Sequence, residues 1–248
     1  MCDPDTHRRL ETVQGLYQRA EAISRTIAET YLRKVRAIQA DLGPDLRFLP
    51  KGTEVTDGEK THTLAHGCLA VFGRNGNGDL SAVQLTALHP DGTKAYKRGG
   101  ELRPKILYGV AKGSFARIQE DSSDKRVFIA EGSETALSIK EAGVKGAILA
   151  SFGVHNIKNY DGKAQEIVIC ADNDGPSAVT RAVVAQAMET LAHQNHRVRV
   201  LEPSIEGQDF NDILRTHGAQ ALRPLFQRYI DQDFKVIRER DSKNRERT

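Results

Sequence analysis

Val127-Phe128-Ile129-Ala130-Glu131-Gly132 is a short apolar run that ends in a carboxylate, and Ile167-Val168-Ile169-Cys170-Ala171-Asp172-Asn173-Asp174 repeats the form further along the chain. Unbroken Val/Ile-rich runs of this length suit strands buried on both faces, as in a parallel sheet. Ligands of an open parallel sheet bind beyond the carboxyl ends of its strands. Glu131, Asp172 and Asp174 are therefore expected on one rim. A third acidic stretch, Asp209-Phe210-Asn211-Asp212, follows. Clustered carboxylates repel one another, and a hard divalent cation relieves the repulsion. Mg²⁺ takes few carboxylates, keeps water and binds phosphate oxygens as well. The pattern points to a Mg²⁺ (or Mn²⁺) site for phosphoryl-transfer chemistry, with Asp172 and Asp174 as ligands and Asp209 or Asp212 as further ones. Each stretch also has a local reading. Glu-Gly and Asp-Asn-Asp-Gly make turns, and Asp209 with Asp212 suits a helix N-cap and first turn. Three such stretches in order, about one βαβ unit apart, favour the shared site.

The surrounding pattern extends the α/β reading. Strand 127–130 precedes a helix over 133–142, strand 147–150 a short polar connection, strand 166–171 a helix over 176–194, and strand 197–201 two helices over 209–217 and 219–229. Four strands alternating with helices predict a mainly parallel sheet with helices on both faces. Upstream, apolar residues from Leu10 to Tyr31 recur at spacings of three and four. They predict a helical segment over 8–40, ended by Gly43-Pro44. Residues 51–62 are polar and read as a loop. Leu64–Phe72 and Leu80–Leu88 alternate in strand fashion around the Gly-rich 73–79, predicting a small antiparallel sheet. The expected organisation is a helical segment (1–45), an antiparallel β subdomain (46–125), the α/β domain (126–232) and a charged tail or linker (233–248).

Several classes are excluded. The Gly-rich 73–79 lacks the Lys-Ser/Thr ending of a phosphate-binding P-loop, so a hairpin turn is the better reading. His62, His66 and Cys68 have no fourth neighbouring ligand and no Cys-x-x-Cys partner, against a structural zinc. Three dispersed cysteines among 248 residues argue against a disulfide framework and for a reducing cytoplasm. No apolar run approaches a membrane span, so no membrane partner is expected. The net charge of +3 identifies no partner, but its distribution does. From Lys94 to Arg117 there are seven basic residues and one acidic, a net +6, whereas 126–232 holds eleven basic and thirteen acidic, a net −2. Lys94, Lys97, Arg98, Arg103 and Lys105 are candidates for holding nucleic-acid or nucleotide phosphates, the alternative being a solvated basic loop.

Glu131-Gly132-Ser133-Glu134-Thr135-Ala136-Leu137-Ser138 resembles the signature of the Toprim superfamily in its primase-like branch. Asp172-Asn173-Asp174 matches that family's Asp-x-Asp, and Gly207-Gln208-Asp209-Phe210-Asn211-Asp212 its Gly-x-Asp-x-Asn-Asp segment. Ala28–Arg33 and Leu46–Pro50 resemble the module preceding Toprim in primases of plasmids, phages and integrative or conjugative elements. The resemblance implies a DNA primase-type nucleotidyltransferase. It would make RNA primers from nucleoside triphosphates on a single-stranded DNA template, with Glu131 as general acid/base or a further metal ligand. A helicase or relaxase domain is the further partner implied. Two other functions share these residues: a Toprim nuclease hydrolysing phosphodiesters, and a non-catalytic nucleic-acid-binding module of a larger replication or conjugation protein. A topoisomerase would need a tyrosine-bearing gate domain, and an ATPase-coupled nuclease a Walker A motif, so neither is expected.

Overall fold

The computed structural model describes residues 3–95, 105–121, 123, 125–175 and 178–230; Lys97, Arg98, Arg103 and the charged tail lie outside them. Helix α1 (Pro4–Arg19) starts at Asp3, whose side chain accepts the Thr6 N–H, with Pro4 in the first turn. The helical spacing then breaks, which corrects the single segment expected over 8–40. Ala20 turns extended, Glu21 pairs with Phe48, and Arg25 adopts a positive φ of 63°. Thr26 restarts the helix by accepting the Glu29 N–H, giving α2 (Ile27–Thr30) and a π turn over Tyr31–Val35.

Strands β1 (Leu46–Leu49), β2 (Glu54–Asp57), β3 (Lys60–Thr63), β4 (Gly67–Arg74), β5 (Leu80–Leu88) and β6 (Lys105–Gly109) follow. β1-β4-β5-β6 form an antiparallel sheet in that order, as the alternation predicts. The polar stretch read as a loop instead contains the β2–β3 hairpin, turning at Gly58 with φ 64°. Only Val55 of its strands is buried, so no apolar alternation marked it.

The second sheet comprises β7 (Ala116–Gln119), β8 (Arg126–Ala130), β9 (Ala147–Ala150), β10 (Glu166–Cys170) and β11 (Arg197–Leu201), in the order β11-β10-β8-β9-β7. All neighbours are parallel except β7, an antiparallel edge strand. Helix α3 (Ser133–Glu141) packs on β7, β8 and β9, while α5 (Phe210–His217) and α6 (Ala219–Ile230) stack against α3. Helix α4 (Ala178–His193) contributes Ala187 and Leu191 to the core on the opposite face, with Val127, Ile129, Ile167 and Ile169. Two covered faces explain why β8 and β10 read as continuous apolar runs.

One core spans both halves. It joins Tyr31, Leu32 and Ile38 of the N-terminal segment, Leu69 and Val71 of β4, and Phe128, Ala136 and Leu137 of the α/β domain. Arg74 and Phe115 exchange backbone hydrogen bonds of 2.9 Å and stitch the sheets together. At Gly73 a Cβ would meet the Phe152 ring at 2.4 Å, so only glycine admits that ring. Phe128 is fully buried, with its ring centroid 5.3 Å from Tyr229 and 6.2 Å from Phe226. Phe128→Ala is expected to cost about 3–5 kcal/mol in urea unfolding; a loss within experimental error would mean that the three aromatics do not pack as one cluster. Among the described residues no helix is long and apolar enough to cross a membrane.

Candidate active site

Register builds the site. β8 and β10 are parallel with Ala130 opposite Cys170, so Glu131 and the Ala171–Asp172 segment leave the sheet at the same edge. The next loop closes on them: the Asn173 N–H donates to the Gln208 carbonyl (3.0 Å) and the Gly207 N–H to the Asn173 carbonyl (2.6 Å). Asp209 follows as the N-cap of α5 in a reciprocal capping box, its carboxylate accepting the Asp212 N–H at 2.7 Å and that of Asp212 accepting the Asp209 N–H at 3.3 Å. Thr135 Oγ1 stands 3.5 Å from Asp172 Oδ1, and Thr180 Oγ1 donates to Asp174 at 3.3 Å.

The carboxylates sense one another. Burial, then Asp209, Glu131 and Asp174, push the Asp172 carboxyl up to about 7, against the pull of Lys105. Burial and Asp174 raise Glu131, with Lys105 and His155 opposing. Burial also raises Asp209, although the Asp212 N–H favours its ionised form. Among the described residues, however, no three His, Cys, Asp or Glu side chains are gathered as ligands of one ion. Glu131, Asp172 and Asp174 share one rim and act on one another electrostatically. A divalent cation still fits this chemistry. Mg²⁺ is commonly held by one or two carboxylates plus water and substrate phosphates, and a mutually repelling group of acids gains from its charge.

Beside the acids lies a buried hub that the sequence reading did not assign. The Glu134 carboxylate is held by Lys105 Nζ (2.9 Å), Lys94 Nζ (3.3 Å), the Tyr31 hydroxyl (2.7 Å) and the Ser133 hydroxyl (3.0 Å). Burial alone would raise its carboxyl; Lys105, Lys94 and Arg36 outweigh burial and hold it well below the usual range. Arg36 donates to the Tyr31 hydroxyl (2.8 Å) and to Asn211 Oδ1 (3.2 Å), and Asn211 donates back to the Arg36 carbonyl (2.9 Å) and to Ser138 Oγ (3.0 Å). Lys94 and Lys105 thus stand against Glu134, a partner that the charge count of 94–117 does not reveal. The available signal was an acid three residues after Glu131 in a helix otherwise rich in core residues.

Residues 126–220 match a family model described as the Toprim domain. The chain carries a Toprim domain. Its acidic rim consists of Glu131, Asp172 and Asp174 with the Asp209 cap. Residues 7–118 match a domain of unknown function (DUF7146). No curated protein matches the chain. Solved structures share the fold of the Toprim domain together with the segment before it. A DNA primase domain from Pseudomonas aeruginosa is 16% identical with a TM-score of 0.62, over 89% of this chain and 78% of that one. The zinc-binding and RNA polymerase domains of Aquifex aeolicus primase are 12% identical with a TM-score of 0.60, over 99% and 66%. A DnaG primase catalytic domain bound to single-stranded DNA is 14% identical with a TM-score of 0.61, over 90% and 82%. At these identities the likeness is one of fold.

Proposed function

We propose that the protein is a primase-type nucleotidyltransferase that joins ribonucleotides into short primers on single-stranded DNA. The observation that carries this reading is the in-register exit of Glu131 and Asp172 from β8 and β10, beside Asp174, Asp209 and the ammonium of Lys105. Asp172 and Asp174 would hold a divalent cation, with Asp209 in reach of their field. When bound, that cation supplies orientation of the triphosphate and neutralisation of charge developing on the pyrophosphate. Glu131 leaves a different strand and is raised toward neutrality, which suits it to take the proton of the attacking hydroxyl. Lys105 offers a cation to the phosphates from the adjoining sheet. The fold shared with primase catalytic domains supports the same reading.

Incubation with single-stranded DNA, labelled ribonucleoside triphosphates and Mg²⁺ or Mn²⁺ tests it. Extended products are expected. Shortened DNA would favour a nuclease, and unchanged DNA with retained binding a non-catalytic module. Binding to single-stranded DNA is further expected to weaken with salt, with a log–log slope of about −0.7 per phosphate contact. Alanine at Lys97, Arg98 and Arg103 should flatten the slope by about two units if each meets a phosphate. A salt titration by fluorescence anisotropy reads this, and an identical slope would place the DNA elsewhere.

A further inference from the structure

We propose that Glu134 is a positioning residue whose buried carboxylate fixes the Lys105 ammonium at the acidic rim, so that the phosphates of an incoming nucleoside triphosphate meet a preorganised cation. This rests on the nucleotidyl-transfer reading above.

Three observations support it. First, the Glu134 side chain is only 6% exposed and both its oxygens are occupied: Oε1 by Tyr31 and Lys94, Oε2 by Lys105 and Ser133. A carboxylate spent on these donors has no role as a metal ligand. Second, its two lysines differ. Lys94 is the more enclosed, at 18% exposure, and Lys105 keeps 30% of its side chain open. Lys94 with Tyr31 therefore holds the carboxylate from its more enclosed side, while Lys105 reaches it with a side chain that stays partly open to the rim. Third, Lys105 stands over the Glu131–Gly132 turn. A Cβ added at Gly132 would lie 3.8 Å from Lys105 Nζ and 3.6 Å from Glu134 Oε2, and Lys105 acts on both Glu131 and Asp172. Lys105 is the first residue of β6, in the antiparallel sheet, whereas Glu134 is in the first turn of α3 in the Toprim domain. The ion pair thus brings a cation from one sheet to the rim of the other. Held there in advance, the lysine forgoes the rotamer entropy that ordering a long side chain on binding would cost.

The test is calorimetric binding of ATP with Mg²⁺ in the absence of template, where no product forms. Glu134→Gln keeps the shape and removes the charge. It should weaken ATP binding by about tenfold to a hundredfold, the span for losing a hydrogen bond to a charged group. Lys105→Gln, which alters a partly open side chain, should give a similar loss, and the double variant should lose little more than either single one. The affinity for Mg²⁺ alone should not fall in Glu134→Gln. Acylation of the Lys105 amine by acetic anhydride, mapped by mass spectrometry, should rise severalfold in Glu134→Gln, a readout that needs no nucleotide. Additive losses, unchanged ATP affinity in folded Glu134→Gln, or unchanged Lys105 labelling would each overturn the proposal. If Glu134→Gln does not fold, full ATP affinity in Lys105→Gln overturns it equally. If wild-type protein fails to bind ATP, the nucleotidyl-transfer reading falls and takes the substrate named here with it; binding by wild type with no loss in the variants rejects the positioning role alone.

Discussion

Glutamine at position 131 is expected to leave single-stranded DNA and ATP binding in place and to lower primer extension by about two to four orders of magnitude, the span for a general base. The substitution keeps the side chain's volume and removes its charge and basicity. Glu131 leaves β8, whereas Asp172 and Asp174 follow β10, so the proposed ligands and the proposed base come from different strands. Its carboxyl is raised by burial and by Asp174, which brings its proton affinity nearer to working pH and improves it as a proton acceptor. Single-turnover extension with saturating ATP and template measures the rate apart from binding. If Glu131 is instead a metal ligand, Mg²⁺ affinity drops together with the rate, and excess Mg²⁺ or Mn²⁺ restores part of the activity. An undiminished rate in Glu131→Gln would falsify any catalytic role and leave Glu131 as the end of a strand.

The acidic rim was legible because parallel strands buried on both faces write themselves as unbroken Val/Ile runs, and the residue that ends such a run stands at the ligand-binding edge. β9 and β11 fall at 147–150 and 197–201, where the runs place them. The missed elements failed for other reasons. The β2–β3 hairpin buries only Val55, so the period that marks a strand is absent from its sequence. The helical segment broke at Ala20 because spacing alone does not register a restart, although Thr26 and Glu29 carry the N-terminal signature of one. The hub around Glu134 was hidden because Tyr31 and Lys105 lie 103 and 29 residues from it in sequence, a distance no local pattern spans. Asp209 and Asp212 show that the two readings of one motif are compatible: the pair caps α5, and the cap sets Asp209 beside Asp172.

Asparagine at position 172 is expected to abolish primer extension and at the same time to stabilise the metal-free fold at neutral and alkaline pH. The Asp172 carboxyl is raised from 3.8 to about 7, by burial first and then by Asp209, Glu131 and Asp174. A folded-state value above the unfolded one means that the folded chain holds the proton more tightly. The contribution of Asp172 to stability therefore falls as pH rises from about 4 to about 7 and stays at its lowest above that. Asparagine has no charge to desolvate or repel, so it removes this loss. The gain should reach about 1–3 kcal/mol at pH 8 and vanish near pH 4. Mg²⁺ reverses the order. A cation that binds the folded state stabilises it by mass action, and the wild-type chain, with the ligand intact, should gain more from it than the variant. Thermal melts at pH 5 and pH 8, with and without Mg²⁺, measure all four conditions. If Asp172→Asn melts lower than wild type at pH 8 without metal, Asp172 is a structural anchor and not a strained acid kept for its charge. If Mg²⁺ stabilises both chains equally, the cation binds elsewhere. The combination of a more stable fold and a lost reaction would identify Asp172 as a residue kept for chemistry at the expense of stability.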